Sequence, residues 1–167
     1  MHRIEHSTVT NPGQLIRAQQ LGLGVSHTIG HVNCWGETFC DYVLGKPRAR
    51  LIDPVHSDKE AGLIYSFHSD SPVTGVNPLL YLNTAMTRLT YQHDKVLGEE
   101  ERVDLLAALR GITINPAIQI WIDKEVGTLE IGKKADMVIL NHDPRNVELS
   151  KLDTLKVKQT WTGGSLA

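Results

Sequence analysis

Residues 63–73, Leu-Ile-Tyr-Ser-Phe-His-Ser-Asp-Ser-Pro-Val, constrain the fold more than any other stretch. An apolar run ends in a polar knot of His, Ser and Asp, and Pro72 then stops the strand. A buried parallel strand has this form when it delivers a carboxylate to the rim of an α/β sheet or barrel. Asp70 is therefore the first candidate for chemistry. Ser-Asp-Ser-Pro is also ordinary turn composition, and locally a turn is the simpler reading. The remainder of the chain weighs against it.

Upstream, residues 2–6 read as a short strand ending at His6. Thr10 or Asn11 can cap a helix with Pro12 at its first position, and Leu15, Ile16, Ala18 and Leu21 give it an apolar face. Gly22 and Gly24 end that helix, and Val25 to Ile29 is a second strand. It opens into a predicted loop, residues 30–37 (Gly-His-Val-Asn-Cys-Trp-Gly-Glu), dense in groups that contact ligands. Residues 37–60 are broken by Lys46-Pro47 and Asp53-Pro54, and read as a helix with loop on both sides. Residues 63–68 form the third strand, and Pro78 starts a helix to about Leu89. The order β-α-β-α-β-α, with connections long enough for crossovers, predicts a parallel sheet.

Beyond it, Gly98-Glu99-Glu100 leads into a helix with Val103, Leu106 and Leu109 on one face. Asn115-Pro116 reads as an N-cap and first-turn proline for a short helix to about Ile122. From about residue 124 the pattern turns to glycine turns and β-rich runs, Asp136 to Leu140 and Val157 to Trp161. These predict a small β layer docked on the α/β part. The expected division is residues 1–123 and 124–167.

Composition narrows the function. At 167 residues with 41% hydrophobic residues the chain supports a real core. The net charge of −2 arises from interspersed acids and bases, which predicts neither nucleic acid nor a membrane surface as partner. No apolar run approaches the roughly 20 residues of a membrane helix. Cys34 and Cys40 match no zinc or redox spacing and are expected as free, buried thiols in a reducing, cytoplasmic compartment. Of the eight histidines, His6, His27, His31 and His68 lie at or just after strand ends. His56, His93 and His142 sit in polar segments and read as surface residues.

Several motifs resemble one family. They are residues 3–6 (Arg-Ile-Glu-His), 67–73 (Phe-His-Ser-Asp-Ser-Pro-Val), 108–110 (Ala-Leu-Arg) with 113–117 (Thr-Ile-Asn-Pro-Ala), and 126–140, from Val126-Gly127-Thr128 to Val138-Ile139-Leu140. In series, from residue 2 to about 164, they resemble the amidohydrolase superfamily, nearest the branch called amidohydrolase family 3. The resemblance implies the C-terminal part of a (β/α)8 TIM-like barrel, strands six to eight with their helices, plus a small accessory β-sandwich layer. It implies a metal-dependent hydrolase that cleaves C–N bonds, amide or cyclic amide, in a small-molecule substrate.

Carried over residue by residue, His6 resembles the metal-ligand histidine at the end of strand six. Asp70 resembles the aspartate at the end of strand eight, which binds metal and takes the proton from the attacking water. His31 lies in the loop after strand seven, where the family contacts substrate, with Trp35 beside it; His68 could orient Asp70 or a substrate group. Imidazole and carboxylate suit zinc, with manganese or iron as neighbours.

The resemblance also implies ligands on earlier strands, which this chain does not contain. The isolated chain is therefore expected to bind metal weakly and hydrolyse nothing. Three βα units leave two sheet edges open, so a homo-oligomer or association with an N-terminal half is expected. A scaffold protein that regulates or binds without catalysis is the alternative. Structural readings stand beside several residues: a core or interface aromatic for Trp35 and Trp161, a satisfied core histidine for His27, an ion pair for Glu5, a solvated turn for Lys133 and Lys134. Cys34 carries no sign of an activated thiolate.

Overall fold

A computed structural model describes residues 1–91 and 95–167; His93 lies outside the described residues. Two three-stranded sheets organise the chain. The first contains β1 (Arg3–His6), β2 (Gly24–His27) and β3 (Tyr65–Phe67) in that order, all parallel. The second contains β4 (Met137–Leu140), β5 (Val157–Thr162) and β6 (Ser165–Leu166), all antiparallel.

Helix α1 (Pro12–Gln20) joins β1 to β2. Asn11 accepts a hydrogen bond from the Gln14 backbone N–H, and the Gln14 side chain accepts from Asn11 N–H, a reciprocal cap with Pro12 at the first position. Leu15 and Ala18 are buried, whereas Ile16 and Leu21 of the predicted apolar face are exposed.

Residues 30–37 are not a loop. Helix α2 (Gly30–Thr38) runs straight on from β2 and continues as a π-helical turn, Phe39–Val43. Its glycines serve close approach rather than looseness: a Cβ on Gly30 would meet Thr74 at 2.8 Å, and one on Gly36 would meet Leu97 at 2.9 Å. The single helix expected in 37–60 is instead α3 (Lys46–Ala49) and α4 (Val55–Glu60), separated by the Asp53-Pro54 break.

Helix α5 (Pro78–Thr87) is capped by Asn77, which accepts from the Leu79 and Leu80 N–H groups. Helix α6 (Leu105–Ile112) is capped by Asp104 and buries Ala107, Ala108 and Gly111. Val103 precedes it and Leu106 is exposed, so the packed face differs from the expected one. Small residues face inward because α6 lies close on β3; a Cβ at Gly111 would meet the Phe67 ring at 2.5 Å. Helix α7 (Ile114–Gln119) begins one residue before Asn115, which is buried inside the helix rather than capping it.

Paired register puts Glu5, Ser26 and Ser66 on one face of the parallel sheet and Ile4, Val25 and Tyr65 on the other. Gln119 closes the lower end of the first face. Its amide nitrogen donates to the Val25 and Ile64 carbonyls at 2.7 and 2.8 Å. The second face carries the core, with Leu15, Val25, Tyr65, Leu82 and Ala108 in one cluster. Leu152 and Leu155 join the same cluster from the C-terminal part of the chain. Within residues 124–140 only Met137–Leu140 is a strand; what precedes it is turns. Among the described residues no helix is long and apolar enough to cross a membrane.

Candidate metal and substrate site

The ends of the three parallel strands converge on one polar cluster. His6 closes β1, Thr28 follows β2, and His68 and Asp70 follow β3. The Thr28 hydroxyl stands between two imidazoles, 3.1 Å from His6 Nδ1 and 3.3 Å from His68 Nε2. The two rings tilt past each other with centroids 5.2 Å apart. Asp70 Oδ2 lies 3.8 Å from His6 Nδ1. The structure thus brings His6, His68 and Asp70 together. His31, in the first turn of α2, stands one step away, its Nδ1 3.0 Å from the Thr8 hydroxyl and its ring edge-on to Phe39 at 5.9 Å.

Backbone conformation contributes to this convergence. His6 and Asp70 both sit in the left-handed region, with φ of 68° and 51°. Non-glycine residues there are uncommon, and they cluster where the surrounding structure holds a functional geometry. Each turns the chain sharply at its strand end, which aims the side chain across the rim.

Burial tunes the cluster. Partial burial lowers the His31 pKa below its ordinary value, opposed by the Asp53 carboxylate. Burial lowers His68 likewise, opposed by Glu5, whose Oε2 is 3.9 Å from His68 Nε2. Both shifts favour the neutral ring, the form that accepts hydrogen bonds and binds metal. Glu5 also pairs with Arg3 at 2.6 Å, so the expected ion pair is present and faces the cluster as well.

The donor set can be tested against a divalent ion. Two ligand atoms about 2.0–2.2 Å from a tetrahedral ion lie about 3.4 Å apart. The His6 Nδ1 to Asp70 Oδ2 separation is within a few tenths of an ångström of that, and both atom types suit zinc. Among the described residues no three His, Cys, Asp or Glu side chains converge to hold an ion. His6 and Asp70 therefore fit as part of a ligand set.

The other candidates fall outside the cluster. Trp35 is on α2, one turn after His31, and is 45% exposed, so it is not a core residue. Cys34 is free and exposed and Cys40 free and half-buried, against the expectation of buried thiols; burial pushes both thiols up, away from reactivity. His27 closes β2 in register with His6 but is fully buried in the outer layer. Its Nε2 meets the Asp58 carboxylate, and its Nδ1 is 3.4 Å from Asp53. Sequence reasoning missed Thr28 and Thr8. For Thr28 the signal was alternation, since Ser26 and Thr28 share the face opposite the buried Val25 and His27, whereas Thr8 lies in a loop and carried no local signal.

Comparison with known proteins agrees with this geometry. A model of the amidohydrolase family matches residues 1–167. The chain is 33% identical over 165 residues to the N-substituted formamide deformylase of Arthrobacter pascens, covering 98% of this chain and 30% of that protein. It is 29% identical over 162 residues to Protein LONG AFTER FAR-RED 3 of Arabidopsis thaliana, covering 97% and 28%. Among solved structures, an uncharacterised metal-dependent hydrolase from Pyrococcus horikoshii superposes with a TM-score of 0.74 at 24% identity, over 89% of this chain and 30% of that one. A Xanthomonas campestris adenosine deaminase with bound zinc superposes with a TM-score of 0.69 at 18% identity, over 98% and 36%. This chain thus spans under a third of the length of these two curated relatives. A whole-chain family match, with strand-end His and Asp residues meeting at one rim, makes the protein a member of the amidohydrolase family.

Proposed function

We propose that the chain is the C-terminal part of a metal-dependent hydrolase that cleaves C–N bonds of amides or cyclic amides with water. One observation carries the reading: His6 Nδ1 and Asp70 Oδ2, from two different strand ends of a parallel sheet, stand 3.8 Å apart. In this reading the sheet is strands six to eight of a (β/α)8 barrel, with its division near residue 123 and residues 124–167 forming the accessory layer. The similarity to an N-substituted formamide deformylase supports an amide substrate.

His6 and Asp70 would hold a divalent ion, zinc by donor type. Such an ion supplies hydroxide at neutral pH by lowering the pKa of bound water. The Asp70 carboxylate accepts the proton of the attacking water and passes it to the leaving amine. Thr28 steadies the His68 ring through its hydroxyl, which also stands 3.1 Å from the His6 nitrogen that would bind the ion and would yield it on binding. His31, His68 and Trp35 face the substrate. With two ligands of its own the chain alone binds the ion weakly, and a partner, an N-terminal half or a second copy, completes the site and covers the open sheet edges.

Zinc titration by calorimetry tests the ligand assignment: His6→Ala and Asp70→Asn each abolish the weak binding of the chain. Hydrolysis of an N-substituted formamide, assayed with any coding sequence preceding Met1 included, tests the reaction. Loss of activity in Asp70→Asn supports it, and unchanged activity overturns the proton role. A metal-free extended protein overturns the hydrolase reading.

A further inference from the structure

The outer layer of the sheet hides a group of charged side chains that the proposed reaction does not use. His27, Asp53, Asp58 and Arg88 are all fully buried. Arg88 spends its guanidinium on backbone carbonyls: Nε donates to Leu97, one terminal nitrogen to Asp53, the other to Ile52 and Arg50. Asp58 meets His27. Asp53 is the odd member. Among the described residues neither of its carboxylate oxygens has a hydrogen bond, although it is buried and His27 Nδ1 is 3.4 Å away. Its φ is +46°. A buried, strained carboxylate in a turn is expensive unless something else fixes the turn there.

What that turn holds is the rim. The Asp53 backbone N–H donates to the Thr8 carbonyl at 2.9 Å, and the Thr8 hydroxyl lies 3.0 Å from His31 Nδ1. Thr8 is two residues beyond His6. Asp53 thus links the buried layer to the β1–α1 loop, its carboxylate seated beside His27 and its backbone N–H on Thr8, a route separate from the His27–Thr28 backbone. It faces His27 and Arg88 on one side and the β1–α1 loop on the other.

We propose that Asp53 is a positioning residue, whose turn fixes Thr8 so that the Thr8 hydroxyl holds the His31 ring in one orientation and one tautomer at the rim. The Thr8 hydroxyl also donates to the His6 carbonyl at 3.5 Å, so its oxygen accepts from His31 Nδ1–H, and Nε2 is the acceptor that His31 presents to a substrate. The value of that to catalysis rests on the hydrolase reading; the link itself does not. Asp58 pairs with His27 from α4 and, among the described residues, has no hydrogen bond to the β1–α1 loop, so it provides the control.

The experiment is nitrogen-15 NMR of the His31 ring in this chain, with Asp53→Asn and Asp58→Asn beside wild type. Asn is tolerated in the left-handed region and nearly isosteric, which keeps the turn sterically possible. The expected result is a single-tautomer pattern for His31 in wild type and an averaged pattern in Asp53→Asn, with the Thr8 amide displaced. Asp58→Asn lowers the melting temperature and leaves both signals in place. Wild-type His31 signals in Asp53→Asn, or an equal change in Asp58→Asn, overturn the proposal. If Asp53→Asn fails to fold, wild type decides. The Asp53 amide then exchanges on the order of a hundredfold slower than a free amide, and His31 shows one tautomer; an unprotected amide or a tautomer mixture overturns the link. None of these readouts requires metal or turnover, so failure of the hydrolase reading leaves them intact.

Discussion

Ser66 donates its hydroxyl to Gln119 Oε1 at 2.7 Å, joining the middle of the third strand to the last turn of the seventh helix across more than fifty residues. The same amide donates to the Val25 and Ile64 carbonyls, so one side chain ties the second and third strands together from below. Gln119→Ala leaves the buried Ser66 hydroxyl without its acceptor and removes a donor from two carbonyls. The expected cost is about 2 kcal/mol, read as a lower urea midpoint with an unchanged slope.

His27 makes stability pH-dependent. Burial opposes its charge, but Asp58 and Asp53 outweigh burial and push its pKa up from 6.5 to about 10. A group whose pKa is raised by folding stabilises fully below its unfolded value and loses that contribution as pH rises to the folded one. Urea midpoints should therefore fall between about pH 6.5 and 10, and His27→Gln should remove that slope. Breaking the pair by Asp58→Ala is expected to cost about 3–5 kcal/mol at neutral pH.

Arg88→Lys tests the guanidinium staple. A lysine ammonium is a point donor and cannot span carbonyls at Leu97, Asp53, Ile52 and Arg50 together. The expected loss is about 2–4 kcal/mol, within what removing one side of a buried charged network costs. Hydrogen exchange checks the location, with faster exchange at the Asp53 and Leu97 amides than elsewhere in the core.

Two glycines with nearly equal φ separate conformational strain from collision. Gly22 has φ +64° and nothing within 4 Å of an added Cβ, whereas Gly98 has φ +69° and its Cβ would fall on the Arg50 carbonyl. Gly22→Ala should cost about 1 kcal/mol, the left-handed penalty alone. Gly98→Ala should cost at least about 3 kcal/mol, because backbone has no rotamer by which to yield. Paired thermal melts measure the difference.

Thr28→Val keeps the shape of the residue between His6 and His68 and removes its hydroxyl. The hydroxyl and the ion would share His6 Nδ1, so its removal frees that lone pair and is expected to tighten zinc binding several-fold, which calorimetric titration reads directly; weaker binding overturns the assignment of Nδ1 as the ligand atom.

Local signals carried much of this fold. The three strands, the Asn11 cap, and the proline starts of α1 and α5 depend on neighbours in sequence, and each appears at its expected place, the second and third strands shorter than read. The strand-end position of His6 and Asp70 followed from the same reading. Residues 30–37 misled because Gly30, Asn33 and Gly36 are poor helix formers; the helix exists because those glycines admit Thr74 and Leu97, a tertiary cause invisible locally. Asn115 misled in the same way, since its burial against the sheet overrides its taste for caps. The buried charges went unread for a related reason. His27 lies 26 residues from Asp53 and 61 from Arg88 in sequence, and no short motif encodes a partnership made only by packing.

The left-handed backbone at His6 and Asp70 bears on how these positions tolerate replacement. Asn, Asp and His are the side chains enriched in that conformation, and Gly adopts it freely. A saturation library sorted for folding alone would return Asn, Asp, His and Gly at both positions, whatever the chemistry. Sorted for metal retention, it would keep His at one and Asp at the other. The residues that the first sort keeps and the second discards separate the demand made by the ion from the demand made by the turn.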